Sequence, residues 1–207
     1  MNSNSFWKLI GGLAVAFMVP WLLLVVVPYV SMSNAAPISY SEEDGIEGGI
    51  TEYPAPVEQR VGSSDYGREI YAAEGCAYCH TQVVRPTYAG PDMWRPGWGG
   101  REEGGLARET RPQDYVGESY APLGYQRIGQ DLSNVGHRIT DRDTMHRHLY
   151  DPKSIDVDSG MPAFLHLYKK SPYGPGLVPT GKAEALVDYL LSLKKDQKLP
   201  SKMKVGQ

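Results

Sequence analysis

Cysteine is nearly absent from this chain: two residues in 207, three positions apart, which cannot build a disulfide framework. Runs of one charge are missing as well. With 21 basic and 24 acidic side chains, a net charge of -3 and no Lys/Arg tract, the sequence lacks the basic footprint of a nucleic-acid binder. It also lacks a Ser/His/Asp order, a phosphate-cradling Gly loop, paired carboxylates in a hydrolase-like arrangement, an internal repeat and a convincing strand. What it has in excess is Gly (23) and Pro (16), too many for a helical bundle and too aperiodic for collagen, so much of the fold is expected to be loop.

No charge interrupts Leu9 to Tyr40, and Leu9 to Val30 is a 22-residue apolar run. That matches the roughly 20 residues of a membrane-spanning helix. Pro20 bends such a helix but is tolerated where neighbouring groups satisfy the freed carbonyl, and Trp7 and Tyr29 sit where interfacial anchors are expected. The alternative is a cleaved secretory signal, since Ser33 to Ala36 supplies small residues after the run, although a signal core is usually only about 7 to 15 residues long. Lys8 precedes the run and no basic residue follows before Arg60, which favours an N-terminus left in the cytoplasm.

The sequence divides into an anchor over 1–36, an acidic linker over 37–63 and a further domain over 64–200. The linker carries Glu42, Glu43, Asp44, Glu47, Glu52 and Glu58 among Gly and Pro without an apolar period. In the third region, Ser64 or Asp65 is expected to cap a helix running to Glu74 and ended by Gly75. Thr140 with Asp143 resembles a capping box opening a helix on which Met145 and Leu149 share a face until Pro152. Lys182 to Lys195 is the clearest amphipathic helix, with Lys in its last turn. Between Thr87 and Leu123 lie seven Gly, four Pro, two Trp and ten charges, a loop-rich insertion with no period. An aperiodic stretch of that length is usually functional or disordered.

Directly after the first of these helices comes Cys76-Ala77-Tyr78-Cys79-His80. C-x-x-C-H is the attachment signature of c-type haem. Two thiols three residues apart on one turn face the same edge of the ring, and the next residue carries its imidazole beneath the metal. Cys76 and Cys79 are therefore the candidate thioether anchors and His80 the candidate axial ligand of a single covalent haem c. A thiol-disulfide motif would be expected beside a βαβ pattern, and none flanks this one. A zinc site would draw on His137, His146 and His148, but His146 and His148, two apart, do not share a helix face. The candidate sixth ligands downstream are Met93, Met145, Met161 and Met203. Met161, between Gly160 and Pro162 in a loop joining two helices, is the best placed, because a loop can carry the thioether to the open face of the ring. His137, His146 and His166 read as surface or hydrogen-bonded residues, and a bis-His site is the alternative to Met161. Iron with both axial positions filled has no vacancy for substrate, so the chemistry implied is electron transfer and the chain is not catalytic alone.

The strings Gly67-Arg68-Glu69-Ile70-Tyr71, Glu74 to Pro86 (EGCAYCHTQVVRP), Gly117-Glu118-Ser119 and Met161-Pro162-Ala163 occur in one order behind one N-terminal anchor. Together they resemble the membrane-anchored monohaem cytochrome c subunit (subunit II) of cbb3-type haem-copper oxidases. The resemblance covers the anchor and nearly all of 64–167, and the CHTQVVRP continuation is far more specific than C-x-x-C-H alone. It implies an all-α class I cytochrome c domain with long loops behind one transmembrane helix, single-pass in a bacterial inner membrane with the haem domain periplasmic. It further implies the oxidase catalytic subunit and a dihaem cytochrome c subunit as partners, with a soluble protein as electron donor. By matching position, Cys76, Cys79, His80 and Met161 take the haem roles, and Arg85 and Arg127 become candidates to meet haem propionates. One departure stands out: where the family reads approximately R-T-G-P-D-L, this chain has Arg127-Ile128-Gly129-Gln130-Asp131-Leu132. The Pro whose carbonyl usually orients the axial His is replaced by Gln130. The helices over Tyr66 to Glu74 and Lys182 to Lys195 are expected to cross, with Gly67 allowing close approach. Two other readings are a freestanding periplasmic carrier and a peroxidase-like enzyme. The latter needs a vacant axial site and usually a second haem.

Overall fold

The computed structural model describes residues 3–33, 39–40, 51–52, 63–95, 97–99, 108–115 and 118–195. The chain divides into two compact units, one over Met1–Ala36 and one over Pro37–Leu199.

The first unit is one helical rod: α1 (Ser3–Trp21), a π-helical turn (Leu22–Val26) and α2 (Val27–Ser33). Ser5–Ser33, 29 residues, is long and apolar enough to cross a membrane. At about 1.5 Å per residue it reaches about 43 Å, which exceeds the roughly 30 Å hydrocarbon core. The widened turn lies between Pro20 and Pro28, each of which removes a backbone donor and crowds the carbonyl four residues before it, here those of Ala16 and Leu24. Leu, Val, Phe and Trp side chains point outward along the whole rod, Leu24 being 76% exposed.

The second unit is helix-rich. Its helices are α3 (Ser64–Ala73), α4 (Val135–Arg138), α5 (Arg142–Tyr150) and α6 (Gly181–Ser192). The core is the crossing of α3 and α6, with α5 closing one side. Ile70 and Tyr71 from α3 meet Leu186, Val187, Tyr189 and Leu190 from α6 and Met145 and Leu149 from α5. Each fully buried aliphatic side chain here stabilises the fold by about 1.5–3 kcal/mol. The crossing is close because Gly67 has no side chain: a Cβ there would stand 1.8 Å from the carbonyl oxygen of Ala185.

Three helix ends depart from the sequence reading. α3 is preceded by Ser63 as its N-cap, one residue before the expected Ser64, whose side chain is buried instead. The cap of α5 is Asp141, not Thr140: its carboxylate accepts the Thr144 N–H at 2.7 Å and the Thr144 hydroxyl at 2.6 Å. One carboxylate oxygen, Oδ2, accepts both donors, and its negative charge makes it a stronger acceptor than a Thr hydroxyl. Helix α6 starts on the Thr180 cap and stops at Ser192, before Lys194 and Lys195. The chain there is taken over by tertiary hydrogen bonds, from Gly136 N–H to the Leu193 carbonyl at 3.0 Å and from Lys195 N–H to the Ser133 carbonyl at 3.1 Å.

Two short antiparallel ladders also amend the all-α expectation. β1 (Ser39–Tyr40) pairs with β2 (Thr51–Glu52) within the acidic segment, and β3 (Tyr168–Lys170) with β4 (Leu177–Pro179). Strands of two or three residues are too short to show the alternation by which a strand is read from sequence. In the second ladder Tyr168 opposes Pro179, Lys169 Val178 and Lys170 Leu177, and the connecting turn ends on Gly176 at φ +146.

Substituting Gly67→Ala should separate α3 from α6 and destabilise the second unit by about 3 kcal/mol. Chemical denaturation of the variant against the unmutated chain measures this, and an unchanged midpoint would contradict the packing described.

Candidate haem site

Helix α3 ends where Gly75 turns left-handed, at φ +74, and a single 3-10 turn over Cys76–Tyr78 follows. Within it the Cys79 N–H and the His80 N–H both reach the Cys76 carbonyl, at 3.1 and 3.0 Å. This one turn brings both thiols and the imidazole together. Cys76 and Cys79 are free thiols, half-buried. Burial pushes the Cys76 thiol up to about 12, with the Glu74 carboxylate adding to the shift. A reactive redox cysteine needs the opposite, a thiol lowered by a helix N-terminus or a cation. Here the pair follows a helix C-terminus, which supplies no such activation. Among the described residues no group of three or more His, Cys, Asp and Glu side chains is placed to hold a metal ion.

The turn is held from one side by residues 123–132, which run alongside 77–82. Backbone hydrogen bonds join Gln82 N–H to the Leu123 carbonyl (3.0 Å), Tyr125 N–H to Ala77 (2.8 Å), Gly129 N–H to Cys79 (2.9 Å) and Leu132 N–H to Thr81 (2.8 Å). Two glycines let this strap lie flat. A Cβ on Gly124, which sits at φ +88, would stand 2.2 Å from the His80 carbonyl oxygen, and one on Gly129 would stand 2.3 Å from Cε1 of the His80 ring. The Asp131 carboxylate, fully buried, closes the strap by accepting the Thr81 hydroxyl (2.6 Å), the Val83 N–H (2.9 Å) and the Ser133 N–H (2.8 Å).

His80 Nδ1 lies 2.7 Å from the Gln130 carbonyl oxygen. A carbonyl can only accept, so Nδ1 carries the proton and Nε2 keeps its lone pair for a metal. Gln130 thus does with its backbone what the missing proline was expected to do. Burial lowers the His80 imidazole, outweighing the hydrogen bond to Gln130, and favours the neutral form that ligates. The free thiol pair, an imidazole with one nitrogen committed and the other available, and a glycine cradle against its ring form a donor set that fits a covalently held haem.

The family model described as cytochrome C oxidase, mono-heme subunit/FixO, matches residues 15–174. The chain belongs to that family. As a mono-haem oxidase subunit it is a haem-binding electron-transport protein that works with the oxidase catalytic subunit, and its apolar N-terminal helix is compatible with a single-pass anchor. A search of curated proteins finds no match.

The other predicted residues of this mono-haem subunit fall as follows. Met161 is half-buried against the hydrophobic core, in a loop whose Phe164 N–H reaches the Leu149 carbonyl at 2.9 Å. Its far end is tied back to the C-cap of α3 by His166, whose Nε2 lies 2.8 Å from the carboxylate of Glu74. His146 is also committed, with Nδ1 3.0 Å from the Tyr168 hydroxyl. Met203 lies outside the described residues.

Arg85 and Arg127 are brought together, but by a residue that sequence reasoning missed. Asp92 is 1% exposed and receives Arg85 through Nε and Nη2 at 3.0 and 2.9 Å, and Arg127 through Nη1 at 2.6 Å. Arg127 Nη2 also donates to the Val83 carbonyl. Burial alone would raise the Asp92 carboxyl, but the hydrogen bonds from Arg85 and Arg127 outweigh it and hold it at about 2. Asp92 belongs to the aperiodic insertion, whose composition suggests no role for it. The described parts of that insertion are pinned to the haem-binding half by Asp92 and by Thr110, whose hydroxyl and N–H bond to the Val84 backbone at 2.8 and 2.9 Å. Arg108 is paired with the buried Asp114, and the Tyr115 hydroxyl donates to the Gln82 carbonyl. Hydrophobic periodicity has no signal for these anchors, since each is a single polar residue in a loop.

Two expectations follow. Gly129→Val should push the His80 ring out of place and sharply reduce the yield of haem-loaded chain, read by haem staining of membranes. Because the folded carboxyl of Asp92 lies below its ordinary value, its contribution to stability is complete above about pH 4 and is lost as pH falls toward 2. Asp92→Asn should therefore flatten the acid limb of the stability curve, measured as denaturation midpoint against pH.

Proposed function

We propose that this chain relays electrons through one haem c, bound covalently at Cys76 and Cys79, to the haem-copper catalytic subunit of a cbb3-type oxidase, where oxygen is reduced. The observation that carries the reading is the Cys76–His80 turn with His80 Nδ1 spent on Gln130 and Nε2 free. The bound haem supplies one-electron chemistry at its iron. The chain's own residues do the rest. His80 Nε2 and the Met161 thioether would hold the haem iron, a donor pair that would suit electron transfer. Arg85 and Arg127 share one carboxylate, so their cluster keeps a unit positive charge, and we assign that charge to a haem propionate.

The setting follows from the same reading. The N-terminal rod anchors the subunit in a bacterial inner membrane by a single pass, with residues 64–200 periplasmic as a class I cytochrome c domain. A dihaem cytochrome c subunit and a soluble donor complete the chain of transfer. Beside the attachment turn the surface is apolar: Tyr78 and Tyr125 stack at 5.2 Å and are 64% and 76% exposed, and Ile128 is 70% exposed. Such a patch on a soluble carrier would be a liability, whereas a subunit covers it with the catalytic partner.

Membranes solubilised in mild detergent should yield this chain together with an oxidase core, and recovery free of any such core would instead make it a freestanding carrier. Replacing both Cys76 and Cys79 by Ser should abolish the added mass of haem on the intact chain, measured by mass spectrometry. Met161→Ala should remove the weak sulfur-to-iron charge-transfer band of the ferric protein, and its persistence would reject Met161 as ligand.

A further inference from the structure

Glu74 stands where local rules disfavour it. It is the C-cap of α3, with its N–H on the Ile70 carbonyl at 2.8 Å. The carbonyl end of a helix carries partial negative charge, so a carboxylate there is locally unfavourable and a proton donor is welcome. Residues that break a local rule in this way concentrate at functional sites. The donor that meets Glu74 is His166, whose Nε2 lies 2.8 Å from the carboxylate across 92 positions of chain. A carboxylate can only accept, so Nε2 carries a proton whether or not the ring is charged.

The pair joins the two segments that the proposed reading gives to the haem. Glu74 stands two positions before Cys76, and His166 five positions after Met161. The loop that carries Met161 is held unevenly. On its N-terminal side the bonds are local, from the Ser159 N–H to the Asp156 carbonyl at 3.0 Å and from the Met161 N–H to the Ser159 hydroxyl at 3.3 Å, and a Cβ on Gly160 would meet nothing within 4 Å. Long-range bonds hold the C-terminal side: Phe164 N–H to the Leu149 carbonyl at 2.9 Å, His166 to Glu74, and Thr180 to the Leu167 carbonyl through its N–H at 3.0 Å and its hydroxyl at 2.7 Å. Of these three ties, the one through His166 reaches the end of α3, from which the Cys76–His80 turn starts.

We infer that the hydrogen bond from His166 to Glu74 is a latch that sets how firmly Met161 holds the sixth position of the haem. It fixes the spacing between the segment that bears the two thiols and the loop that bears the sulfur ligand, so the loop opens only by breaking it. Both are positioning residues, and neither touches the iron. An outside ligand that displaces Met161 forms its own bond to the iron as the bond from Met161 Sδ breaks, with no change in oxidation state and, for neutral imidazole, no proton released. The strength of the latch is then part of what the incoming ligand must overcome. The side chains are partly exposed, His166 at 60% and Glu74 at 21%, so the latch is that of a partly solvated pair and changes ligand exchange by about two- to fivefold. The inference rests on the proposed covalent haem and on Met161 as its sixth ligand.

The test uses the full chain with its anchor, haem-loaded, ferric and solubilised in mild detergent. Imidazole is titrated in, and the concentration that removes half of the sulfur-to-iron band is read. His166→Phe should lower that concentration by about two- to fivefold. Glu74→Ala breaks the same bond from the other side and should lower it equally, with the double variant falling no further. His166→Gln, whose side-chain amide offers an N–H near the place of Nε2, should restore the unmutated value. A merely structural role would shift the denaturation midpoint and leave the imidazole titration unmoved. An unchanged titration in either single variant, additive losses in the double variant, or a His166→Gln protein as weak as His166→Phe overturns the inference. Each single variant decides the matter should the other fail to accumulate. Absence of covalent haem or of the sulfur-to-iron band from the unmutated chain overturns the functional reading and this inference with it, whereas a normal band with an unchanged titration in the variants overturns this inference alone.

Discussion

The hydrogen bond from His80 Nδ1 to the Gln130 carbonyl, 2.7 Å long, is the contact on which the site depends. Without it the imidazole could rotate and could present either tautomer, and the turn that gathers Cys76, Cys79 and His80 would carry ligands without a direction. The bond in turn needs the strap over 123–132 to lie against 77–82, which four backbone hydrogen bonds, the Asp131 carboxylate and the lack of side chains at Gly124 and Gly129 make possible. A rigid proline at position 130 would restrict the backbone directly. Here the restriction is shared among neighbours, with Asp131 holding the next position from three sides.

The same economy runs through the rest of the second unit. Gly67 lets α3 and α6 cross at backbone distance, and that crossing delivers the end of α3 to the attachment turn. The Met161 loop is bound at one end to α5, through Leu149, and at the other to the last residue of α3's C-terminal end, through Glu74. The Cys76–His80 turn and the Met161 loop are therefore parts of one hydrogen-bonded frame. Helix α5 supplies a wall of that frame.

Much of the site is legible in the order of residues alone, because its signals are local. The spacing of Cys76, Cys79 and His80 is a property of one turn, the apolar run is a property of one helix, and Met161 is marked by its loop position. The charged residues show where local reading stops. Arg85 and Arg127 stand far apart in the chain and resemblance marks both for a propionate, but their common partner Asp92 has no pattern of its own. Asp131 carries no sequence signal for the same reason, since its burial and the three donors that meet it are facts of three dimensions. The β3–β4 ladder and the ends of α3, α5 and α6 differ from expectation because capping and pairing are decided by which donors happen to meet which acceptors.

By itself the sequence determined the membrane-compatible helix, the Cys76–His80 motif and the family to which the chain belongs, since each rests on residues adjacent in the chain whose chemistry needs no distant help. Only the tertiary structure decided which nitrogen of His80 is free and which carboxylate binds the two arginines. Those outcomes depend on backbone carbonyls and buried groups brought together across dozens of residues, and a carbonyl carries no signature in the sequence at all.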